Sequence, residues 1–145
     1  MSRNEKVRQL IARLGLEPHP EGGHFREIYR HRPERGGERG HVTSIYYLVE
    51  AGQVSHWHRI DAVELWHFHA GAPLELTVVE EGRPPIHYRL GIDLEAGEQP
   101  QATVPPKAWQ SARSLGAWSL VGCTVAPAFD FAGFELAAPG WSPFG

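Results

Sequence analysis

The chain of 145 residues holds a single cysteine, Cys123, so no disulfide can close within it. That residue sits in the apolar run WSLVGCTV, where a buried, inert thiol is the expected state. Basic runs are missing as well. The 14 Lys and Arg are scattered against 17 Asp and Glu, for a formal net charge of -3, and this argues against a nucleic-acid partner. No apolar stretch approaches the roughly 18 residues of a membrane span, and the opening MSRNEKVRQL lacks the apolar centre of a secretory signal. A cytoplasmic location without membrane contact is the simplest expectation. The chain also lacks a phosphate-cradling P-loop, since GGERG has no strand-then-helix context, and it lacks a G-x-S-x-G nucleophile elbow. Neither an internal repeat nor a linker divides it, and its length suits one domain over residues 1–145.

Glycine (16) and proline (12) are plentiful and punctuate short runs rich in β-branched and aromatic residues. One helix is expected, over residues 3–15. Ser2 and Glu5 have capping-box spacing, Val7, Leu10, Ile11 and Leu14 share a face, and Gly15 suits the C-terminal cap. Strands are expected at His24–His31, Val42–Val49, Val54–His58, Val63–His69, Leu74–Val79, Ile86–Leu90, Gln101–Val104, Trp109–Ser114, Trp118–Val125 and Phe134–Ala137. Many short antiparallel strands at hairpin spacing favour an all-β barrel or jelly roll over about residues 22–138. The tail, residues 139–145, reads as loop, with Trp141 and Phe144 available to pack on a neighbour. The basic stretch RHRPERGGERG reads as a mobile loop.

Four of the nine histidines fall within VSHWHRIDAVELWHFHA. His56 and His58 are two apart, and alternate residues of a strand share a face, so the pair offers a two-imidazole bite for a divalent metal. RIDA reads as a turn that returns Glu64 beside them. Two imidazoles and a carboxylate leave open positions for water or substrate. If Glu64 points inward, Trp66 and Phe68 do too, which turns His67 and His69 outward unless a bulge intervenes.

The pattern Gly52, His56-x-His58, Glu64, Gly71 resembles the first signature motif of the cupin superfamily. The segment GEQPQATVPPKAWQSAR matches the second motif, with Gln110 standing where a fourth ligand, a His, is expected. The runs LGLEPHPEGGHFREIYR, TSIYYLVEAG, SHWHRIDAVELWHFHAGAPLEL, VPPKAWQSAR and FDFAGFELA resemble, in order, the cupin-5 subfamily. The resemblance implies a double-stranded β-helix, the cupin jelly-roll barrel, with one short N-terminal helix, assembled as a homodimer. It leaves the reaction open.

Three functions follow. The first is a metal-dependent enzyme acting on a small polar metabolite in the barrel, with His56, His58, Glu64 and Gln110 holding Mn, Fe, Ni or Zn. His24, His69 and Tyr47 (or Tyr46) are the candidate acid/base residues. The second is a metal-free epimerase or isomerase of sugar nucleotides. The third is a non-catalytic module that binds a small ligand. In PEGGHFRE, Gly22 and Gly23 read as a structural turn, with Glu21 or His24 as candidates for the pocket mouth. Trp57, Trp66 and Trp109 are expected as core aromatics, and Asp130 and Glu135 as surface or turn-capping residues.

Overall fold

A computed structural model describes residues 3–145. Helix α1 spans Arg3–Leu14 and ends at Gly15, whose φ of 67° is the left-handed conformation expected of a C-terminal cap. The capping pair expected at Ser2 lies outside the described residues. Eleven strands follow: β1 Glu17–Pro18, β2 His24–Arg30, β3 Thr43–Glu50, β4 Val54–Ile60, β5 Val63–Gly71, β6 Leu74–Val79, β7 Ile86–Leu90, β8 Gln101–Val104, β9 Trp109–Ser114, β10 Trp118–Ala126 and β11 Phe134–Leu136. The two-residue β1 was not expected; the others fall where the punctuation places them.

The strands form two antiparallel sheets, β1-β2-β3-β10-β5-β8 and β11-β4-β9-β6-β7, the paired layers of a jelly roll. Alternation decides what faces inward. In β8, Ala102 and Val104 are buried while Gln101 and Thr103 are exposed; in β9, Gln110 and Ala112 are buried against an exposed Arg113. The inner faces meet in a core that includes Tyr47, Val49, Trp66, Leu74, Leu76 and Val121. Strand β3 is buried on both faces. Its Leu48, with Leu120 of β10, takes the apolar stripe of α1, in which Val7 is buried and Leu10, Ile11 and Leu14 are partly so. The helix therefore covers the outside of the first sheet, as its periodicity implies.

The tail folds back on its own chain. Trp141 stacks on Trp109 with ring centroids 4.5 Å apart, and Phe144 meets Trp57 edge-on at 5.7 Å. Of the three tryptophans expected in the core, Trp66 is there, while Trp57 and Trp109 lie under this tail. The Arg-rich loop after β2 is tied down by Arg39, which forks onto Asp61 and also donates to the Ala128 carbonyl.

Candidate active site

A cavity of about 270 Å³ opens between the sheets. Its polar groups are brought together by three strands and one turn. Glu64 is the second residue of β5, and Trp66, the next inward position, is buried beside it, as alternation demands. His58 comes from β4, but not by simple alternation. Ser55 pairs with Ala112 and His58 with Gln110, so His56 and Trp57 stand opposite the single residue Ser111. This bulge puts Ser55 and His58 on the inner face and turns His56 away from it. His56 Nε2–H instead donates to the Ala138 carbonyl at 3.0 Å. The expectation that His56 and His58 project together is corrected by that extra residue.

Glu21 supplies the third group. The turn over residues 19–23 closes with Gly22 N–H on His19 O and His19 N–H on Gly23 O, and Glu21 O accepts from His56 N–H at 2.8 Å. Gly22 has φ 109°, and a Cβ there would collide with the Val54 carbonyl oxygen. The glycine thus lets the turn lie flat against β4 and aims the preceding carboxylate into the lumen. Sequence reasoning placed Glu21 at the pocket mouth as one alternative; the structure puts it deep, with Oε2 3.1 Å from His58 Nε2. His19 was missed altogether. It lines the cavity against Phe25 and Tyr47, and its Nδ1 accepts the Glu21 N–H at 3.1 Å.

The proton inventory follows from chemistry alone. His58 Nδ1 lies 2.8 Å from the His56 carbonyl, which only accepts, so Nδ1 carries a hydrogen. The 3.1 Å contact from Nε2 to Glu21 then needs one more proton, on either the carboxyl or the imidazole. Burial pushes the Glu21 carboxyl up to about 8, and the nearby Ser55 and Tyr47 hydroxyls offset this only in part. Ser55 Oγ itself closes no hydrogen bond of standard length. Burial lowers the His58 imidazole, with the Glu64 carboxylate pulling the other way. Both shifts put the shared proton on Glu21, which donates to a neutral His58. Burial also lowers His19 to about 4, with His58 contributing, so His19 is neutral as well.

Glu64 is the second carboxyl. Burial raises it to about 7, His58 opposes that rise, and Glu21 adds to it. Gln110 Nε2 donates to Glu64 Oε1 at 2.8 Å, while Gln110 Oε1 accepts from the Trp66 indole N–H at 3.0 Å. An indole nitrogen can only donate, so the amide orientation is fixed. Gln110 therefore offers Glu64 an N–H, not an oxygen to a metal. Cys123 also faces the cavity, and burial raises its thiol well above the usual range, leaving it a protonated wall group.

Of the seven sequence-predicted site residues, His58, Glu64, Tyr47 and Gln110 gather at the inner face, and three do not. His24 pairs with Leu48 and so faces the α1 side; its Nδ1 is buried without a partner. His69 lies on the outer face, over Gly122 and 6.3 Å from the Tyr46 ring. His56 lies under the tail. Tyr47 is the tyrosine of its pair that faces inward, and its hydroxyl donates to the Gly22 carbonyl. The donors His58, Glu64 and Glu21 are engaged with one another and with Gln110. Among the described residues no group of three or more His, Cys, Asp or Glu side chains is arranged to hold a metal ion. As positioned, the donor set does not fit the two-imidazole centre that the motif implied.

Beyond Glu17, Glu27, Arg30 and Thr43, the rest of the wall is apolar. Phe25, Ile45, Ile60, Val125, Phe129 and Phe134 line it, with the more exposed Phe131 at the rim. Phe129, Phe131 and Phe134 pack edge-to-face, with centroids 4.9 to 5.8 Å apart. Asp130 caps the short turn that carries them by accepting the Ala132 N–H. A concave, largely apolar chamber with a few convergent ionisable groups is the usual form of a small-molecule site.

Comparison with known proteins agrees with this architecture. A family model described as Cupin superfamily (DUF985) matches residues 8–137. A hypothetical protein from Leishmania major is 33% identical, with a TM-score of 0.83 over 91% of this chain and 87% of that one. A Shewanella oneidensis protein solved by X-ray crystallography is 40% identical, with a TM-score of 0.86 over 91% of this chain and 84% of that one. Oxalate decarboxylase from Bacillus subtilis shares the fold at 15% identity, with a TM-score of 0.63 over 83% of this chain and 29% of its own. No curated protein matches the chain. With the family match spanning both sheets and every cavity-lining strand, the chain belongs to the cupin superfamily, in the DUF985 family.

Proposed function

We propose that the cavity is an acid/base site that moves protons on a small organic molecule, the chemistry of an isomerase or epimerase. The observation that carries this reading is the buried Glu21–His58 contact of 3.1 Å, inside a chamber that Glu64 also lines. Burial raises both carboxyls, and their hydrogen-bond partners divide the roles. Glu64 accepts the Gln110 N–H, which favours its charged form, and acts as the base. Glu21 faces Nε2 of His58, whose Nδ1–H is already on a carbonyl, and acts as the acid. For a carbonyl substrate, Glu64 takes the proton from the adjacent carbon while Glu21 delivers its own to the carbonyl oxygen. Glu64 then returns its proton to carbon while Glu21 takes a proton back from the enol oxygen, which restores both carboxyls, and His58 holds Glu21 in place throughout. The apolar wall excludes water and keeps these interactions strong.

A metal-dependent enzyme has less support, because of its four proposed ligands only His58 and Glu64 line the cavity, while His56 faces away and Gln110 gives its N–H to Glu64. The test is solvent exchange. Small ketones, aldehydes and hydroxyketones are incubated in D2O, and loss of the C–H signal beside the carbonyl is followed by NMR. The parent is expected to accelerate exchange of at least one compound, and Glu21→Gln and Glu64→Gln to lose on the order of 100-fold or more of that rate. Binding without exchange across the panel would overturn the reading in favour of a non-catalytic ligand-binding module. Exchange undiminished in both variants would overturn the assignment of the residues.

A further inference from the structure

The charges that face the cavity are unbalanced, and the imbalance points to a substrate class. Glu17, Glu21, Glu27 and Glu64 line it with one guanidinium, that of Arg30; Glu27 is paired with Arg30 and Glu21 shares a proton with His58, so Glu17 and Glu64 are the carboxyls that no lining cation offsets. Arg30 is already paired: its Nε and Nη2 fork onto the two Glu27 oxygens at 2.8 and 2.9 Å, and Nη1 donates to the Phe129 carbonyl at 2.9 Å. The lining histidines add no uncompensated positive charge: His58, with its Nδ1–H on a carbonyl, shares one proton with Glu21 at Nε2, so the pair is neutral whichever atom holds it, and His19 uses Nδ1 as an acceptor. Among the described residues, an incoming carboxylate or phosphate would meet no lining cation that is not already paired, and would lie among carboxyls whose ionisation it opposes. A positive charge would offset those carboxyls. It would also meet Phe25, Phe129, Phe131 and Phe134, whose ring faces attract cations.

We infer that the ligand of this cavity is an organic cation, a protonated amine or similar nitrogen centre carried on an apolar body that fills the phenylalanine-lined chamber. The proposal deepens the acid/base reading of the same cavity and rests on it only for the placement of the reacting end. The charge preference is a property of the wall.

Three probes of nearly equal shape test it, namely benzylamine, benzyl alcohol and benzoate, each titrated into the full chain by calorimetry at one pH. None needs to be turned over, so this outcome is independent of the exchange experiment. Benzylamine is expected to bind at least tenfold more tightly than benzyl alcohol, and benzoate more weakly than either. Glu27→Gln, a partly exposed position, removes the partner that occupies Arg30 and leaves a free guanidinium at the chamber. In that variant benzoate is expected to gain at least tenfold and benzylamine to weaken. Benzoate equal to or tighter than benzylamine in the parent would overturn the proposal. So would a Glu27→Gln variant whose three affinities keep the parental order and ratios, and so would failure of benzylamine to bind at all.

Discussion

Replacing Glu21 with Gln isolates the shared proton. The amide has nearly the shape of the protonated carboxyl and can donate to His58 Nε2 as the acid does, so the folded state keeps its hydrogen bond and loses only the titration. In the parent, burial raises the carboxyl from 4.5 to about 8. Between those values the folded chain binds more protons than the unfolded one, so this group makes stability fall as pH rises. The span is about 3.5 units, and at 1.36 kcal/mol per unit the ceiling is about 5 kcal/mol. Glu21→Gln removes that loss. Its advantage over the parent is expected to be near its minimum below pH 5, to grow by about 1.4 kcal/mol per pH unit, and to level off above pH 8. Urea denaturation from pH 5 to pH 9 reads this directly. With an m-value of about 2 kcal/mol/M the midpoints separate by roughly 2 M at the alkaline end. The difference between the two proteins is the quantity to compare, because Glu64, His19 and His58 titrate in both. The contrary result is equally sharp. If the pair were a carboxylate and an imidazolium, Glu21→Gln would take away the carboxylate that holds the His58 proton; the variant would then be the less stable protein near pH 5, by an amount that shrinks as pH rises.

Gly22→Ala places a methyl against the Val54 carbonyl at a φ of 109°; it is expected to cost at least about 2 kcal/mol by thermal or urea melts and to abolish any exchange activity by displacing Glu21. Trp66→Phe removes the indole N–H that fixes Gln110; a loss of about 1–3 kcal/mol is expected from the unpaired buried amide, with a change in the rate–pH profile because Glu64 loses its oriented donor. His56→Ala tests the tail and the metal reading together. It is expected to leave affinity for Mn, Fe, Ni or Zn unchanged, as measured by elemental analysis after loading, while increasing hydrogen exchange around Ala138. Metal bound at near-stoichiometric level in the parent and lost in His56→Ala would contradict the placement of that side chain.

Much of the fold is legible in the punctuation, because Gly and Pro end strands for local steric reasons. Strands β6, β7, β8 and β9 begin and end where turn chemistry places them. His58 and Glu64 are legible for the same reason: one hairpin separates them, and the second strand alternates without interruption from Glu64 through Trp66. His56 shows the limit. Period-2 reasoning assumes an unbroken ladder, and the extra residue opposite Ser111 is set by pairing with β9, more than fifty positions away. Gln110 shows another. Its position on the inner face follows from alternation, but its orientation depends on the Trp66 indole, a contact across the lumen between the two sheets. Glu21 carried a usable signal, an acidic residue directly before two glycines at a strand entry. What the sequence did not display is that the Gly22 backbone lies against Val54 and so sinks Glu21 to the level of His58. Phe134 opens β11, the edge strand of the second sheet; that it bounds the cavity together with Phe129 and Phe131 depends on how β11 pairs with β4.

The most direct test of the shared-proton account is the protonation state of His58 itself, read from its two ring nitrogens by 15N NMR in the resting protein at pH 7. The account predicts a neutral ring with Nδ1 protonated and Nε2 unprotonated, accepting from Glu21, and the same tautomer in Glu21→Gln. A ring protonated on both nitrogens at pH 7 would contradict it, because Glu21 would then be the carboxylate partner of a buried imidazolium and no acid.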